Sequence, residues 1–333
     1  MNKHTSTLSL KDLVSILLKS AIAPSEIKDA IDLIHEQFQE LTQITAYDSK
    51  VEYLAAVPTA KGKALGLSHA AQCLLDYNRT HKFLKGMVAA IKEKQQNHPD
   101  ETIHILYAGC GPYAPFMTLV AQLFSPNEIQ FSLLEINKLS LHHAKELIEK
   151  LELTDFVADF YEADAVTFSI PNAEKYHILF SETLDALLYR ECYVPILFNL
   201  VPQLPEATTI IPNNVLIKGR FSLTSVNDPN YKVMREDVII DVRKELDAYE
   251  TTNTIPEQLP EKTIDAKAID IEQYHFFALD TEVHVYNDIW LTRNESSLTL
   301  ALEMEIEKPF TFNSIVFTYT MKDAIELKFS LKD

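Results

Sequence analysis

The chain has 333 residues, 47% of them hydrophobic and 23% charged, with 30 Lys and Arg against 48 Asp and Glu for a formal net charge of −18. That much apolar material supplies ordinary packed cores and excludes wholesale disorder, and the length suggests two domains or one elaborated one. The acidic balance repels phosphate backbones and anionic membranes, so roles on nucleic acid or lipid start at a disadvantage, whereas a cationic substrate meets no such penalty.

Cys73, Cys110 and Cys192 are odd in number and widely spaced, with no CxxC and no histidine at ligand spacing. Neither a disulfide framework nor a metal site is expected. The apolar run near the N-terminus is broken by Lys11, Asp12 and Lys19, unlike a signal peptide. No run approaches the ~20 apolar residues of a membrane span. The expectation is a soluble, cytoplasmic protein.

Residues 1–98 read as a helical region. Leu10, Leu13, Ile16 and Leu17 recur at helical spacing, as do Ile27, Ala30, Ile31, Ile34 and Phe38 after a Pro24–Ser25 start signal. A third helix is expected over Ser68–Lys94. From 99 to 219, apolar runs alternate with amphipathic segments. Strands are expected at Ile103–Ala108, Phe131–Glu135, Val157–Tyr161 and Tyr176–Ser181, and helices at Phe116–Phe124, Leu139–Leu151 and Leu184–Val201. This alternation predicts an α/β fold, a Rossmann-like, doubly wound parallel sheet. Residues 220–333 read as a β-rich sandwich or barrel. Its strands are expected at Val215–Leu223, Val238–Val242, Thr281–Tyr286, Ile289–Leu291, Leu298–Ile306, Ser314–Thr320 and Ala324–Leu331, with Ala248–Asp265 as the least regular part.

The first parallel strand runs into Ala108–Gly109–Cys110–Gly111–Pro112. Glycine at 109 and 111 lets the backbone bend sharply and approach a ligand that a Cβ would displace. Glu135 ends the second strand, where an acid can accept hydrogen bonds from both ribose hydroxyls of an adenosine. Asp164, followed by Ala165, comes after the third strand, where an adenine amino group could be met. A pyrophosphate binder needs more free amides, and Pro112 removes one. The ordered set therefore points to S-adenosylmethionine, with Cys110 as a small filler within the loop. The alternative is a tight turn flanked by solvated strand-end acids.

Ser181–Glu182 closes the fourth strand, and the segment S-E-T-L-D-A-L-L-Y-R-E ends at Glu191, nine positions after Glu182. Upstream, Asp76–Tyr77–Asn78–Arg79–Thr80 reads D-x-x-R-T. Together these resemble the double-Glu hairpin and the arginine segment of the protein arginine methyltransferases, a branch of the class I S-adenosylmethionine-dependent methyltransferases. The resemblance covers roughly residues 68–219. It implies that Arg79 pairs with the cofactor carboxylate, that Gly109 and Gly111 face its methionine moiety and that Glu135 holds the ribose. Glu182 and Glu191 would grip a guanidinium as the catalytic pair. The helical front over residues 1–98 exceeds what the family's protein-modifying members need and could lid a pocket sized for free arginine or another small molecule, and the sequence departs from the family in two further places. Tyr107 stands where the family has an acid, and Trp290 lies in Asn287–Asp288–Ile289–Trp290 without the family's Thr-His-Trp loop.

Nine residues of unbroken helix would set the two acids on opposite faces. A shared guanidinium site therefore requires a bend between Glu182 and Leu187. The alternative is that Ser181 or Thr183 caps a helix, Glu182 favours its positive end and Glu191 lies on a solvated face. Asp185, His177 and Tyr189 are further candidates for substrate contact, and His69, His81, His275 and His284 weaker ones. The expected activity is methyl transfer to a guanidino nitrogen of a small molecule or peptide. Two readings stay open beside it: O-, N- or C-methylation of another small metabolite, and a non-catalytic partner subunit of the same fold. The substrate is expected to be cationic, with no nucleic acid or membrane partner; a homodimer is compatible with all of this.

Overall fold

The computed structural model describes residues 8–45, 50–249, 255–322 and 324–333. Part of the irregular Ala248–Asp265 segment, residues 250–254, lies outside them.

Two amphipathic helices lead, α1 (Leu10–Leu17) and α2 (Pro24–Thr42). Ser9 caps α1 reciprocally with Asp12, the arrangement that satisfies two orphan amides at once. The buried stripe Leu13, Leu17, Ile31, Ile34 and Phe38 joins the main core. A one-turn helix α3 (Val51–Leu54) precedes a small hairpin, β1 (Val57–Pro58) and β2 (Lys63–Ala64), that the sequence pattern did not suggest.

The helix expected over Ser68–Lys94 is broken. It becomes α4 (Leu67–Gln72), a 3-10 turn over Cys73–Leu75 and α5 (Tyr77–Asn97). The break falls at Asp76, whose ψ of 87° is not helical. Its carboxylate accepts hydrogen bonds from the Ser296 hydroxyl at 2.7 Å and from the Ser297 amide at 2.8 Å. A tertiary tie thus overrides local helix propensity and places Arg79 in the first turn of α5.

The parallel sheet follows: β3 (Ile103–Ala108), α6 (Pro115–Thr118), β4 (Ile129–Glu135), α7 (Lys138–Lys150), β5 (Val157–Glu162), β6 (Tyr176–Ser181), α8 (Tyr193–Leu200) and β7 (Thr209–Ile211). Strand order is β5-β4-β3-β6-β7, all parallel. The central strands β3, β4 and β6 are buried almost throughout, as parallel strands covered on both faces must be. Two expected helices are shorter than the pattern implies. Phe116–Phe124 yields only α6 and a 3-10 turn at Val120–Gln122, and Leu184–Val201 yields a 3-10 turn at Ala186–Leu188 and then α8. The fifth strand, β7, was not anticipated.

Because β3 and β6 are neighbours while the chain proceeds from β3 to β4 on the other side, the strand order reverses between β3 and β6. A crevice opens there at the carboxyl ends of the strands, which is where open α/β sheets bind ligands.

The rest of the chain is antiparallel: β8 (Asn214–Ser222), β9 (Val233–Asp241), the short α9 (Val242–Asp247), β10 (Lys262–Asp265), β11 (Phe276–Tyr286), β12 (Ile289–Leu291), β13 (Leu302–Glu305), β14 (Ser314–Thr320) and β15 (Glu326–Lys332). One sheet runs β12-β11-β8-β9 with β13 on β11, and a second runs β10-β14-β15. Phe221, Phe277 and Phe317 stack in sequence between the two sheets, with centroids 4.7 and 5.9 Å apart. The strand expected over Leu298–Ile306 starts late, because Ser296 caps a 3-10 turn at Ser297–Thr299. β10 was not anticipated. Among the described residues, no helix is long and apolar enough to cross a membrane.

Candidate active site

A cavity at the β3/β6 crevice is lined by Arg79, Gly109, Cys110, Gly111, Glu135, Asp164, Ala165, Glu182 and Glu191. These are the nine residues that the sequence analysis placed at the cofactor or the guanidinium. They come from five separate stretches, each delivered by a strand end or a helix start.

Gly109 and Gly111 both have positive φ, 77° and 65°, which L side chains rarely adopt. A Cβ on Gly109 would stand 2.4 Å from Thr183 Cγ2, so the turn after β3 packs directly on the segment after β6. The Gly111 amide donates to Glu135 Oε2 at 2.9 Å, and the Asn137 amide donates to Oε1 at 2.8 Å. Burial raises the Glu135 carboxyl above its ordinary value, and the amides of Asn137, Gly111 and Ile136 pull it back. Each carboxylate oxygen can accept more than one hydrogen bond, so Glu135 keeps capacity for donors from the cavity. Asp164 accepts from the Val166 amide at 2.9 Å and, through its other oxygen, from the Ala60 amide at 2.6 Å.

Arg79 and Glu182 are both buried, and Arg79 Nη2 and Glu182 Oε1 form an ion pair. Arg79 Nε is buried with no hydrogen-bond partner. Burial alone would pull the guanidinium down, but Glu182, then Cys73 and Glu191, raise it above its ordinary value. It stays charged at any working pH. Burial pushes the Glu182 carboxyl up to about 7 against the pull of Arg79. Burial likewise pushes Glu191 up to about 8, with Arg79 lowering it and Asp185 and Glu182 raising it. Two acids and one arginine thus share a largely buried space in which full ionisation leaves one negative charge in excess. A cation entering there is favoured.

The two glutamates converge because the chain between them turns back. Leu187 and Leu188 have φ of 58° and 55°, a left-handed conformation costly for leucine. The hairpin is held from the β-rich side: the Leu187 amide donates to Thr281 Oγ1 at 2.8 Å, and the Tyr319 hydroxyl donates to the Leu188 carbonyl at 3.0 Å. The bend that a shared site demands is therefore present.

Other candidates lie elsewhere. His177 is at the opposite end of the sheet, in the bulge between β3 and β6, beside His98 and Glu101. Its Nδ1 accepts the His104 amide at 3.1 Å, so the neutral ring carries its proton on Nε2, facing Glu101. Asp185 is mostly buried inside the hairpin and Tyr189 is exposed; neither lines the cavity. His69 lies on α4, not on the Arg79 helix, and His81 is tied to the Leu17 carbonyl at 2.9 Å. His275 sits by the Leu223 carbonyl. His284 stacks on Trp290 with centroids 4.1 Å apart, outside the cavity. Burial raises the Cys110 thiol far above its ordinary value, which fits a filler. Pattern reading missed Thr59, Lys63 and Leu65 from the β1–β2 region, and also Tyr107, Thr183 and Cys192, all of which line the cavity. A two-residue strand has no periodicity to detect.

No family model matches the sequence, and no curated protein matches it. Solved structures do match. One is protein arginine methyltransferase 10 of Arabidopsis thaliana in an open conformation, at 11% identity and a TM-score of 0.51, covering 80% of this chain and 97% of that one. Another is the Trypanosoma brucei PRMT1 enzyme–prozyme heterotetrameric complex with AdoHcy, at 10% identity and a TM-score of 0.48, covering 79% and 97%. The chain has the fold of the arginine methyltransferases: a Rossmann-like sheet followed by an antiparallel β-rich part.

Proposed function

We propose that the protein is an S-adenosylmethionine-dependent methyltransferase whose acceptor is a guanidino nitrogen. The observation that carries this reading is the convergence of Glu182 and Glu191 beside Arg79, in the same cavity as Gly109, Gly111 and Glu135. The residues fit the cofactor. Gly111 leaves room where a Cβ would find only Ala70 Cβ, at 3.9 Å. Arg79 Nε is a buried donor without a partner, suited to the cofactor carboxylate. Glu135 would hold the ribose, and Asp164 with Ala165 would border the adenine.

When bound, S-adenosylmethionine supplies a methyl group on a sulfonium sulfur, and that sulfur keeps both electrons of the broken C–S bond. The protein's task is to present a nitrogen lone pair in line. Guanidinium is a poor nucleophile because its lone pairs are delocalised. Two carboxylates gripping it through charge-assisted hydrogen bonds fix its plane and hold positive charge away from the attacking nitrogen. Positioning of this kind is worth up to roughly 7–11 kcal/mol at the intramolecular limit. The nitrogen sheds one proton as the N–C bond forms, and carboxyls raised to about 7 and about 8 are competent to take it.

Incubation with methyl-labelled cofactor, free arginine and an arginine-containing peptide tests the reading. Label is expected on a guanidino nitrogen. Cofactor binding with transfer only to non-guanidino acceptors would favour O-, N- or C-methylation of another metabolite, and no cofactor binding would favour a non-catalytic subunit.

A further inference from the structure

The β1–β2 hairpin forms the outer wall of the cavity. Val57 pairs with Ala64 and Pro58 with Lys63. Thr59, Lys63 and Ala64 line the cavity, while Pro58, Ala60 and Lys63 are also exposed to solvent. Three ties hold this strap. The Ala60 amide donates to Asp164 at 2.6 Å. Thr59 Oγ1 lies 3.1 Å from Cys192 Sγ, and that thiol donates to the Lys63 carbonyl at 3.6 Å. Gly62 is wedged so closely that a Cβ would stand 2.9 Å from the Arg190 carbonyl oxygen and 2.7 Å from Ile325 Cδ1. The strap thus runs from the end of the third parallel strand, past the segment after the glutamate hairpin, to the β-rich part.

The strap also brings a charge. Lys63 and Arg79 are the two cationic residues that line the cavity. Arg79 is engaged with Glu182, whereas Lys63 forms no ion pair among the described residues. The cavity is thus bordered by an acidic pair and, on the strap, by an exposed lysine with no ion pair among the described residues. Resting on the guanidino reading above, we propose that the acceptor is a small guanidino acid of about the size of free arginine. Its guanidinium lies between Glu182 and Glu191 and its carboxylate meets Lys63.

The test compares methyl transfer by the full chain to three acceptors: free arginine, agmatine (the same molecule without its carboxylate) and a blocked peptide with one internal arginine. Wild type is expected to favour arginine at least tenfold in kcat/KM over both others. Lys63→Gln is expected to cut the arginine-to-agmatine ratio at least tenfold, through KM rather than kcat. The ratio is taken within one preparation, so a loss of folded protein does not mimic it. A peptide used as well as arginine, or a ratio unmoved by Lys63→Gln, overturns the proposal while leaving the guanidino reading intact. If cofactor binds and no guanidine of any kind is methylated, that reading falls and this inference falls with it.

Discussion

Arg79 and Glu182 meet as a buried ion pair across the crevice between the first turn of α5 and the end of β6, more than a hundred residues apart in the chain. The pair joins the element expected to hold the cofactor carboxylate to the element expected to hold the acceptor. Removing one charge of a buried pair leaves the other uncompensated, so substitutions here act on stability and chemistry together. Glu182→Gln keeps the shape, removes the charge and replaces one acceptor oxygen with a donor amide group. Turnover is expected to fall by at least about thirtyfold, roughly 2 kcal/mol of transition-state stabilisation, with cofactor affinity changed far less. Single-turnover rates and cofactor titrations of the same preparation separate the two, and unchanged turnover would rule out a guanidinium grip.

The raised acids give the ligand-free protein a pH signature. Glu182 and Glu191 stand near 7 and 8 when folded, against an ordinary value of 4.5. The folded state therefore binds more protons than the unfolded one between these values. The stability they contribute is fully present below about pH 4.5 and is lost as pH rises through 7 and 8. The Tm of wild type is expected to fall from pH 5 to pH 8.5 more steeply than that of the Glu182→Gln/Glu191→Gln double variant. Parallel curves would contradict the burial argument.

A cationic acceptor should reverse that trend. The grip requires both acids ionised, so affinity for a guanidinium is expected to rise with pH through the same 7 to 8 interval, with net proton release on binding. Calorimetry in two buffers of different ionisation enthalpy measures that release directly. Proton uptake, or none at pH 7, would show that the acids do not titrate with the ligand.

The two loop glycines differ in what surrounds them. Gly109→Ala meets both a positive φ and Thr183 Cγ2 at 2.4 Å, whereas Gly111→Ala meets only the φ, with Ala70 Cβ at 3.9 Å as its nearest neighbour. Backbone strain alone costs about 1 kcal/mol or somewhat more. Gly109→Ala is expected to cost more stability than Gly111→Ala and also to displace the hairpin that carries Glu182. Urea unfolding of both variants decides this, and equal costs would show that the close packing on Thr183 yields without penalty.

The parallel sheet was legible because its central strands are short apolar runs closed by glycine or acid. Tyr176–Ser181 has the bounds that the sequence suggests. Strand-end chemistry made Glu135 and Glu182 visible for the same reason, since in a parallel sheet the carboxyl ends face one crevice. What stayed hidden was set by distant partners. The chain breaks at Asp76 because Ser296 and Ser297, some 220 residues later, hold its carboxylate. The helix expected from Leu184 gives way to a left-handed turn because Thr281 and Tyr319 fix Leu187 and Leu188. The strap over the cavity has no hydrophobic period at all. Its ties run through a backbone amide, a thiol and a glycine.

The hairpin's dependence on the β-rich part yields the last prediction. Thr281 is buried in β11, and its hydroxyl is the acceptor for the Leu187 amide in the middle of the Glu182–Glu191 hairpin. Thr281→Val is close in shape but leaves that amide without its partner, at a cost of about 1–3 kcal/mol when the group stays buried. Relaxation of the left-handed turn at Leu187 can recover part of that cost only by moving the hairpin. Turnover is therefore expected to drop at least tenfold while cofactor affinity stays within about twofold, because Gly111 and Glu135 hold each other independently of β11. Wild-type turnover in a Thr281→Val protein of reduced Tm would mean that the two glutamates keep their spacing without support from the β-rich part.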